Sequence, residues 1–265
     1  MLDTAIRLAR EAGQLAFESI SLSPHVSEKG RRDLITDVDL AAQRIIVEGL
    51  RSSFPDHAIL AEEGAFDRDG PAEWMWVIDP LDGTTNYARG LPSFCVSIAL
   101  QHRGESYLGV IYDPVRDHLF YAQRGEGAWL NGHRLQVSQR DGLAGTLVGY
   151  DWPRTDEGRR VLVAMIDRLS QEAIAIRSFG AAALGLCYVA AGWYDIYMNP
   201  ELRVWDIAAG MLLVEEAGGV VSVSEEPTVG RHARACLASN GRVHDLLREV
   251  YRRARGSVCQ GGDVA

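Results

Sequence analysis

Two carboxylates three residues apart follow an apolar run in the first third of the chain. The run, Trp74–Ile78, has the composition of a buried strand, and it leads into Asp79-Pro80-Leu81-Asp82-Gly83-Thr84-Thr85-Asn86. Hard divalent cations prefer carboxylate oxygens, and the backbone N–H groups of a tight glycine turn bind phosphate oxygens. The segment therefore predicts a site for a divalent cation and a phosphate, although Asp-Gly taken alone indicates only a turn.

Three further acidic segments accompany this block. They are Asp33-Leu34-Ile35-Thr36-Asp37-Val38-Asp39, then Ala61-Glu62-Glu63-Gly64 after a short apolar run, and far downstream Val204-Trp205-Asp206-Ile207-Ala208-Ala209-Gly210. In order, spacing and total length, the four segments resemble the inositol monophosphatase family. Its signatures are an early D-L-V-T-x-x-D element, an acidic pair after a strand, a D-P-[ILV]-D-G-T-T-N block and a W-D-x-A-A-G helix start. The resemblance covers nearly the whole chain.

Four carboxylates, those of Glu62, Asp79, Asp82 and Asp206, form the predicted metal site. Converging like charges repel one another and hold protons unless a cation neutralises them. The resemblance implies two to three Mg²⁺ ions per site. It assigns Glu62, Asp79 and the backbone carbonyl of Leu81 to the first ion, Asp79, Asp82 and Asp206 to the second, and the vicinity of Glu62 to a third. Glu63, directly after Glu62, competes for the same role.

The resemblance also implies catalytic roles for Thr84, Asp39 and Glu62. Thr84 and Asp39 resemble the pair that orients and activates the attacking water, since a hydroxyl can pass a proton toward a carboxylate. Glu62 contributes to catalysis as a metal ligand. Asp39 has an alternative interpretation as an acid favoured at a helix start by the helix dipole, and Asp37 is a nearby competitor.

Phosphate and substrate contacts are expected from Gly83, Thr84, Asp82, Ala182 and Asn199. The first two supply backbone N–H groups, because a glycine lets the chain approach a ligand closely. Ala182 belongs to a segment that resembles the family's I-R-S-x-G-[ST]-A-A element, with Ala181 in place of the usual Ser or Thr. Asn199 stands where inositol-specific members often carry a Glu. Glu201 is an alternative source of that carboxylate.

The implied activity is Mg²⁺-dependent hydrolysis of a small phosphorylated polyol or sugar, with inositol 1-phosphate as the first expected substrate. The resemblance also implies inhibition by lithium and a homodimeric state. Fructose 1,6-bisphosphate and histidinol phosphate are alternative substrates, and a 3′-phosphoadenosine nucleotide is a weaker one. A regulatory binding protein is the alternative of another class, since some bacterial family members bind transcription machinery.

Composition and the absence of other known motifs argue against several kinds of substrate, site and location. The chain has 265 residues, 47% hydrophobic residues and a net charge of −9, with no basic cluster interleaved with aromatics, which argues against a nucleic acid as substrate. The four cysteines form no CxxC pair and indicate buried thiols in a reducing cytoplasm. No run is long enough to span a membrane, and the N-terminus has no signal-peptide pattern. Scattered histidines give no zinc motif, and no GxSxG occurs.

Hydrophobic periodicity divides the chain into two halves. Residues 1–143 show two helical patterns followed by alternating strands, the pattern of an α+β half that carries most of the metal ligands. Residues 144–255 alternate strands with helices, the pattern of an α/β half that carries Asp206 and the side of the site facing the substrate alcohol. Residues 256–265 are predicted to be a disordered tail. The fold class is α/β, and the resemblance implies a layered α-β-α-β-α sandwich of the sugar phosphatase type.

Overall fold

The chain folds around two β-sheets and a separate hairpin. The computed structural model describes residues 1–22, 24–64, 72–224 and 234–260. The helices are α1 (Leu2–Ser19), α2 (Asp37–Ser53), α3 (Thr84–Tyr87), α4 (Asp156–Ser170), α5 (Ala182–Ala190), α6 (Val204–Glu216) and α7 (His244–Gln260), with a 3₁₀ turn at Ile20–Leu22. The strands are β1 (Val26–Gly30), β2 (Asp33–Thr36), β3 (Ala58–Ala61), β4 (Trp74–Asp82), β5 (Cys95–His102), β6 (Glu105–Asp113), β7 (His118–Gln123), β8 (Gly127–Leu130), β9 (His133–Arg134), β10 (Leu147–Tyr150), β11 (Ala175–Ser178), β12 (Ile196–Leu202), β13 (Val220–Val223) and β14 (Arg234–Ser239).

The first sheet contains seven strands in chain order, from β3 to β9. Strand β3 runs parallel to β4, and every later pair is antiparallel. Alternate residues of β4 face opposite layers, as the period of two in a strand requires. Trp76 and Ile78 pack with helices α1 and α2, whereas Val77 packs with helices α5 and α6. Both faces of this sheet are therefore covered by helices.

The second sheet has the order β11-β10-β12-β14-β13. Strand β10 is parallel to β11 and β12, whereas β14 is antiparallel to β12 and β13. The sequence correctly predicts that strands and helices alternate in this half, but β14 is antiparallel to both of its neighbours, which gives a mixed sheet. Helices α4 and α7 cover its outer face, where Val148, Met165, Ile196 and Leu247 share one core.

Helices α5 and α6 lie between the two sheets, so the expected α-β-α-β-α layering is confirmed. The largest core cluster includes residues from both halves, such as Phe120 and Tyr197. The division between the sheets falls between Arg134 and Leu147. None of the described helices is long and apolar enough to cross a membrane.

One expectation about the C-terminus is wrong in part. Helix α7 continues to Gln260, so residues 256–260 of the segment predicted to be disordered are helical. The Arg-rich end of this helix, with Arg252 and Arg253 both paired to Glu249, provides the i,i+3 and i,i+4 contacts that support it. Residues 261–265 lie outside the described part of the chain.

Candidate active site

A β-bulge at the end of strand β4 sets the direction of the two block carboxylates. Asp79 pairs with Ser97 and Asp82 pairs with Cys95, so three steps on β4 match two steps on β5. In a regular strand, residues three apart point to opposite faces, and one extra residue reverses that parity. Pro80 is tolerated at this point because a bulge releases its backbone from the hydrogen-bond ladder. As a result, both carboxylates line one cavity.

Two other elements bring their acids to the same place. Glu62 follows strand β3, the parallel neighbour of β4, and Asp206 lies in the first turn of helix α6. Carboxylate oxygens of Glu62, Asp79 and Asp206 all lie within 4.8 Å of one another. Asp79 and Asp206 are buried, and Glu62 is partly exposed. The structure therefore brings together three of the four acids that the sequence predicts as metal ligands.

Asp82, the fourth acid, borders the same cavity and has further partners. Its carboxylate accepts hydrogen bonds from the backbone N–H groups of Ala182 (3.2 Å) and Ala183 (2.7 Å) at the start of helix α5. Each carboxylate oxygen keeps a second lone pair, so these contacts leave Asp82 able to bind a cation. They also engage the N–H group of Ala182, the residue predicted to contact substrate, although Ala182 itself lines the cavity.

The carboxylates repel one another strongly. Burial raises the pKa values of Asp79 and Asp82 well above the usual range, and neighbouring carboxylates raise them further. Burial and the charge of Glu62 raise the pKa of Asp206 to about 7, against the opposing effect of Arg154. Two positively charged side chains reduce this repulsion. Lys29 Nζ lies 3.0 Å from Glu62 Oε1, and Arg154 Nη2 lies 4.0 Å from the same atom.

This donor set fits a hard divalent cation. It consists of carboxylate oxygens, and Leu81 lines the same cavity. Hard cations such as Mg²⁺ take oxygen ligands of this kind. No histidine or cysteine belongs to the cluster among the residues that the structure describes. The clustered, buried negative charge is the condition that a bound divalent cation would relieve.

Thr84 and Asp39 are in direct contact. The Thr84 hydroxyl donates a hydrogen bond to Asp39 Oδ1 at 3.0 Å, and it lies equally close to the carbonyl oxygen of Leu81. Asp39 also caps helix α2, because its carboxylate accepts hydrogen bonds from the backbone and the hydroxyl of Thr36. Asp39 therefore caps helix α2 and accepts a hydrogen bond from Thr84 at the same time. Burial raises its pKa.

The competing acids lie elsewhere. Asp37 is exposed and accepts a hydrogen bond from the backbone of His25. Glu63 lies outside the 4.8 Å cluster, and its carboxylate binds Lys29 at 2.5 Å. The geometry therefore favours Asp39 over Asp37 and Glu62 over Glu63.

Gly83 adopts a backbone conformation that other residues rarely take. Its φ is +95°, and a Cβ atom at this position would lie 2.8 Å from the carbonyl oxygen of Ser93. It directly precedes the short helix α3, so a left-handed residue turns the chain from the bulge into the helix. Any side chain here would be strained by both its φ and its neighbour.

Asn199 and Glu201 lie at the end of strand β12 and line the cavity. Asn199 is buried, and its Oδ1 accepts a hydrogen bond from the backbone of Glu201 (2.9 Å). The Glu201 carboxylate holds the N-terminal cap of helix α4, since it accepts from the backbone (3.0 Å) and hydroxyl (2.5 Å) of Thr155. Glu201 is therefore occupied by a structural contact in this arrangement.

Sequence reasoning missed several residues of the cavity. Its volume is about 840 Å³, and Arg32, Asp151, Trp152, Arg154 and Arg159 contribute to its walls. None of them belongs to a recognisable short motif. Lys29 and Arg32 sit in the run Glu28-Lys29-Gly30-Arg31-Arg32-Asp33, which in isolation has the composition of an exposed turn. Only pairing of β1 with β2 brings this run to the cavity.

Comparison with known proteins agrees with the fold. The chain belongs to the inositol monophosphatase family, whose sequence profile matches residues 1–255. Within the family it is SuhB-like: it is 48% identical over 229 residues to the Nus factor SuhB of Pseudomonas aeruginosa, a match that covers 84% of each chain. Among solved structures, the IMPase of Thermotoga maritima has 35% identity and a TM-score of 0.87, covering 97% of this chain and 98% of that one. The inositol monophosphatase of Anabaena has 35% identity and a TM-score of 0.81, covering 95% and 96%.

Proposed function

We infer that this protein hydrolyses small polyol or sugar phosphate monoesters in the presence of Mg²⁺, with inositol 1-phosphate as the first expected substrate. One observation carries the proposal. The three clustered carboxylates and the hydrogen-bonded pair Thr84–Asp39 border the same end of strand β4. A cation site beside a hydroxyl–carboxylate pair is an arrangement that can catalyse hydrolysis by an activated water.

The carboxylates of Glu62, Asp79, Asp82 and Asp206, with the carbonyl of Leu81, would hold two to three Mg²⁺ ions. Bound Mg²⁺ supplies positive charge to the phosphate oxygens and makes a nearby water more acidic. The chain itself fixes the ligands rigidly, because Asp79 Oδ1 accepts a hydrogen bond from the backbone of Leu81 at 3.0 Å. Asp206 Oδ2 likewise accepts from the backbone of Arg203 at 2.7 Å.

Thr84 and Asp39 would take the proton of the attacking water. Thr84 donates its hydroxyl proton to Asp39, so its oxygen remains free to accept a hydrogen bond from the water. As the water attacks, its proton passes to Thr84 Oγ1 and the hydroxyl proton of Thr84 passes to Asp39 Oδ1. Burial raises the pKa of Asp39, which makes it a better proton acceptor than an exposed aspartate.

The backbone N–H groups of Gly83 and Thr84 would bind the phosphate, at the turn where Gly83 has a φ of +95°. The substrate alcohol would lie toward Ala182 and Asn199 on the other wall. Because Asn199 Oδ1 accepts from the backbone of Glu201, the amide N–H₂ is the group left to meet a substrate hydroxyl. A neutral amide favours broad selectivity, so fructose 1,6-bisphosphate and histidinol phosphate remain alternative substrates.

Phosphate release from purified protein tests the proposal. Inositol 1-phosphate, fructose 1,6-bisphosphate and histidinol phosphate would each be assayed with Mg²⁺, with excess chelator, and with added Li⁺. We expect Mg²⁺-dependent release that Li⁺ inhibits. Release from none of the three, or full activity in chelator, would overturn the proposal.

A role in transcription is a second candidate, and the 48% identity to a Nus factor favours it. Under this proposal the chain binds transcription machinery independently of catalysis. Binding to purified RNA polymerase of Pseudomonas aeruginosa would be measured for the wild type and for Asp79→Asn, with serum albumin as the control partner. Equal binding by both forms would support a separate regulatory function, and binding by neither would exclude it.

We also propose that the protein acts as a homodimer in a reducing cytoplasm. The buried free thiols of Cys95, Cys187 and Cys236 support the reducing environment. The proposed dimer is based on the oligomeric state expected from the family resemblance. Light scattering during size-exclusion chromatography tests it, because it gives the mass of the protein in solution.

A further inference from the structure

Asp151 is a buried carboxylate on the wall of the cavity that has no part in the proposed reaction. It directly follows strand β10, and its relative exposure is 7%. It lines the cavity but lies outside the 4.8 Å cluster formed by Glu62, Asp79 and Asp206. A buried carboxylate is costly unless hydrogen-bond donors surround it. The donors that surround Asp151 therefore indicate what it does.

Each oxygen of the Asp151 carboxylate contacts a different element. Oδ1 accepts hydrogen bonds from the backbone N–H groups of Gly180 (2.5 Å) and Phe179 (3.1 Å) and from the hydroxyl of Ser178 (3.3 Å). Oδ2 accepts from the hydroxyl of Tyr197, on strand β12, at 3.0 Å. Three consecutive residues are thus held by a single oxygen atom.

These three residues belong to the segment 178–181, which we call the entry loop because it leads into helix α5. The first N–H groups of that helix bind Asp82: Ala182 donates to Oδ1 (3.2 Å) and Ala183 donates to Oδ2 (2.7 Å). The residue before the helix is Ala181, whose methyl group cannot cap it. Because the two N–H groups bind both oxygens of Asp82, the start of helix α5 fixes the rotation of this carboxylate as well as its position.

The opposite side of the entry loop is held as well. The carbonyl oxygen of Phe179 accepts hydrogen bonds from Asn86 Nδ2 (2.8 Å) and from the hydroxyl of Ser93 (3.1 Å). Gly180 has a φ of +76°, and a Cβ atom there would lie 2.5 Å from Asn86 Nδ2. With its N–H groups bound to Asp151 and this carbonyl bound from the other side, the loop has one defined position from which helix α5 starts.

We propose that Asp151 is a positioning residue for the metal site: through the entry loop and the start of helix α5, it sets the orientation of Asp82 and thereby the affinity for the cation that Asp82 binds. This inference rests on the proposed function and deepens it. In this role Asp151 does not itself bind the ion. Residues that orient metal ligands typically change metal affinity or activity by about 10–100-fold when they are substituted.

The test measures metal binding in the absence of substrate. Mn²⁺ takes carboxylate ligands as Mg²⁺ does, and electron paramagnetic resonance measures its free concentration during a titration. We expect Asp151→Ala to weaken binding at one Mn²⁺ site by about ten- to a hundredfold. Asp151→Asn should bind nearly as the wild type does, because it keeps an oxygen acceptor for the entry loop.

Tyr197→Phe is the matched control. It removes the hydrogen bond to Oδ2 of the same carboxylate and leaves the contacts of Oδ1 with the entry loop in place. If Asp151 acts on the metal site through the loop, Tyr197→Phe should retain the Mn²⁺ affinity of the wild type. Equal weakening in Tyr197→Phe and Asp151→Ala would instead show general loosening of the protein and would overturn the proposal.

Unchanged Mn²⁺ affinity in Asp151→Ala would also overturn the positioning role, as would failure of Asp151→Asn to restore it. If Asp151→Ala does not fold, Asp151→Ser takes its place, since its hydroxyl is one bond shorter and cannot reach all three donors. Phosphate release is measured on the same samples. A wild type that binds Mn²⁺ but releases no phosphate would refute the proposed function, and the binding series would still decide the role of Asp151. A wild type that binds no Mn²⁺ would overturn both.

Discussion

The Thr84 hydroxyl donates to Asp39 Oδ1 at 3.0 Å and thereby joins the turn after strand β4 to the first turn of helix α2. If the two residues move one proton together, removing either one should have nearly the full effect. We expect Thr84→Ala and Asp39→Asn each to lower kcat by about 10²–10⁴-fold, with little change in the Mg²⁺ concentration for half-maximal rate.

Steady-state kinetics of both single variants and of the double variant check this prediction. The double variant should be little worse than either single variant, because the second change removes nothing further. Asp37→Asn, at an exposed acid two residues away, is the control and should retain activity. Losses that add up in the double variant would show that Thr84 and Asp39 act separately.

Asp79 is buried, and it is the acid that the family resemblance assigns to both of the first two Mg²⁺ ions. Asp79→Asn should lower the hydrolysis rate by at least about 10³-fold, because the variant loses several kcal/mol of metal-based stabilisation. It should also reduce the rise in melting temperature that Mg²⁺ produces in the wild type, since that rise reports binding to the folded state. Differential scanning fluorimetry with Mg²⁺ or chelator measures the second effect. Near-normal activity of the variant at saturating Mg²⁺ would refute the assignment of Asp79.

Glu62 and Glu63 are neighbours with different surroundings. Glu62 shares the 4.8 Å cluster, whereas Glu63 is buried against Lys29. Glu62→Gln should therefore lower kcat and raise the Mg²⁺ concentration needed for half-maximal rate. Glu63→Gln should change both quantities by less than about tenfold. A Mg²⁺ titration of the rate in both variants distinguishes them. The reverse ranking would transfer the metal-ligand role to Glu63.

Asp151 should make stability depend on pH. Burial raises its pKa to about 6, even though Gly180, Tyr197 and Phe179 donate hydrogen bonds to it. A folded-state pKa above the unfolded value near 4 means that the folded protein binds more protons. The contribution of Asp151 to stability is therefore full below pH 4 and is lost as the pH rises through 6.

Asp151→Asn removes this titration while it keeps the hydrogen bonds. An amide oxygen can accept from the backbone of Phe179 and Gly180, and the amide N–H₂ can donate to the Tyr197 hydroxyl. Relative to the wild type, the variant should gain about 2–3 kcal/mol in the free energy of unfolding between pH 4 and pH 7. Urea unfolding at several pH values measures this. A difference between the two proteins that is constant with pH would contradict the expected role.

The residues in sequence motifs were predictable because each lies at the end of a strand or in the first turn of a helix. Glu62, Asp79 and Asp206 come directly after or at the start of an apolar segment, so periodicity places their backbones and the family resemblance supplies their order. The family spacing of three residues from Thr36 favoured Asp39 over Asp37, and in the structure Asp39 is buried whereas Asp37 is exposed. The hairpin β1–β2 was not predicted, since its charged residues show no alternation of hydrophobicity.

Contacts between distant segments could not be predicted from local patterns. The burial of Glu201 against Thr155 depends on how strand β12 meets the start of helix α4, 46 residues away in the chain. The hydrogen bond from Arg32 Nη1 to the carbonyl of Arg154 likewise joins segments that are 122 residues apart. Residue type and spacing within one segment contain no information about such long-range contacts, which form only when the tertiary structure packs the segments together.

The Asp-Pro-Leu-Asp-Gly-Thr-Thr-Asn block fastens the two sheets to each other as well as bordering the cavity. Asp82 accepts from the backbone of Ala182 and Ala183, and Asn86 Nδ2 donates to the carbonyl of Phe179 at 2.8 Å. Separating the halves would leave a buried carboxylate and the first N–H groups of helix α5 without partners, each a substantial penalty. The molecule should therefore unfold in a single cooperative transition, and neither half should be obtainable as a stable fragment. If one half were duplicated or exchanged during evolution, the new neighbouring half would have to provide the same hydrogen bonds at this junction.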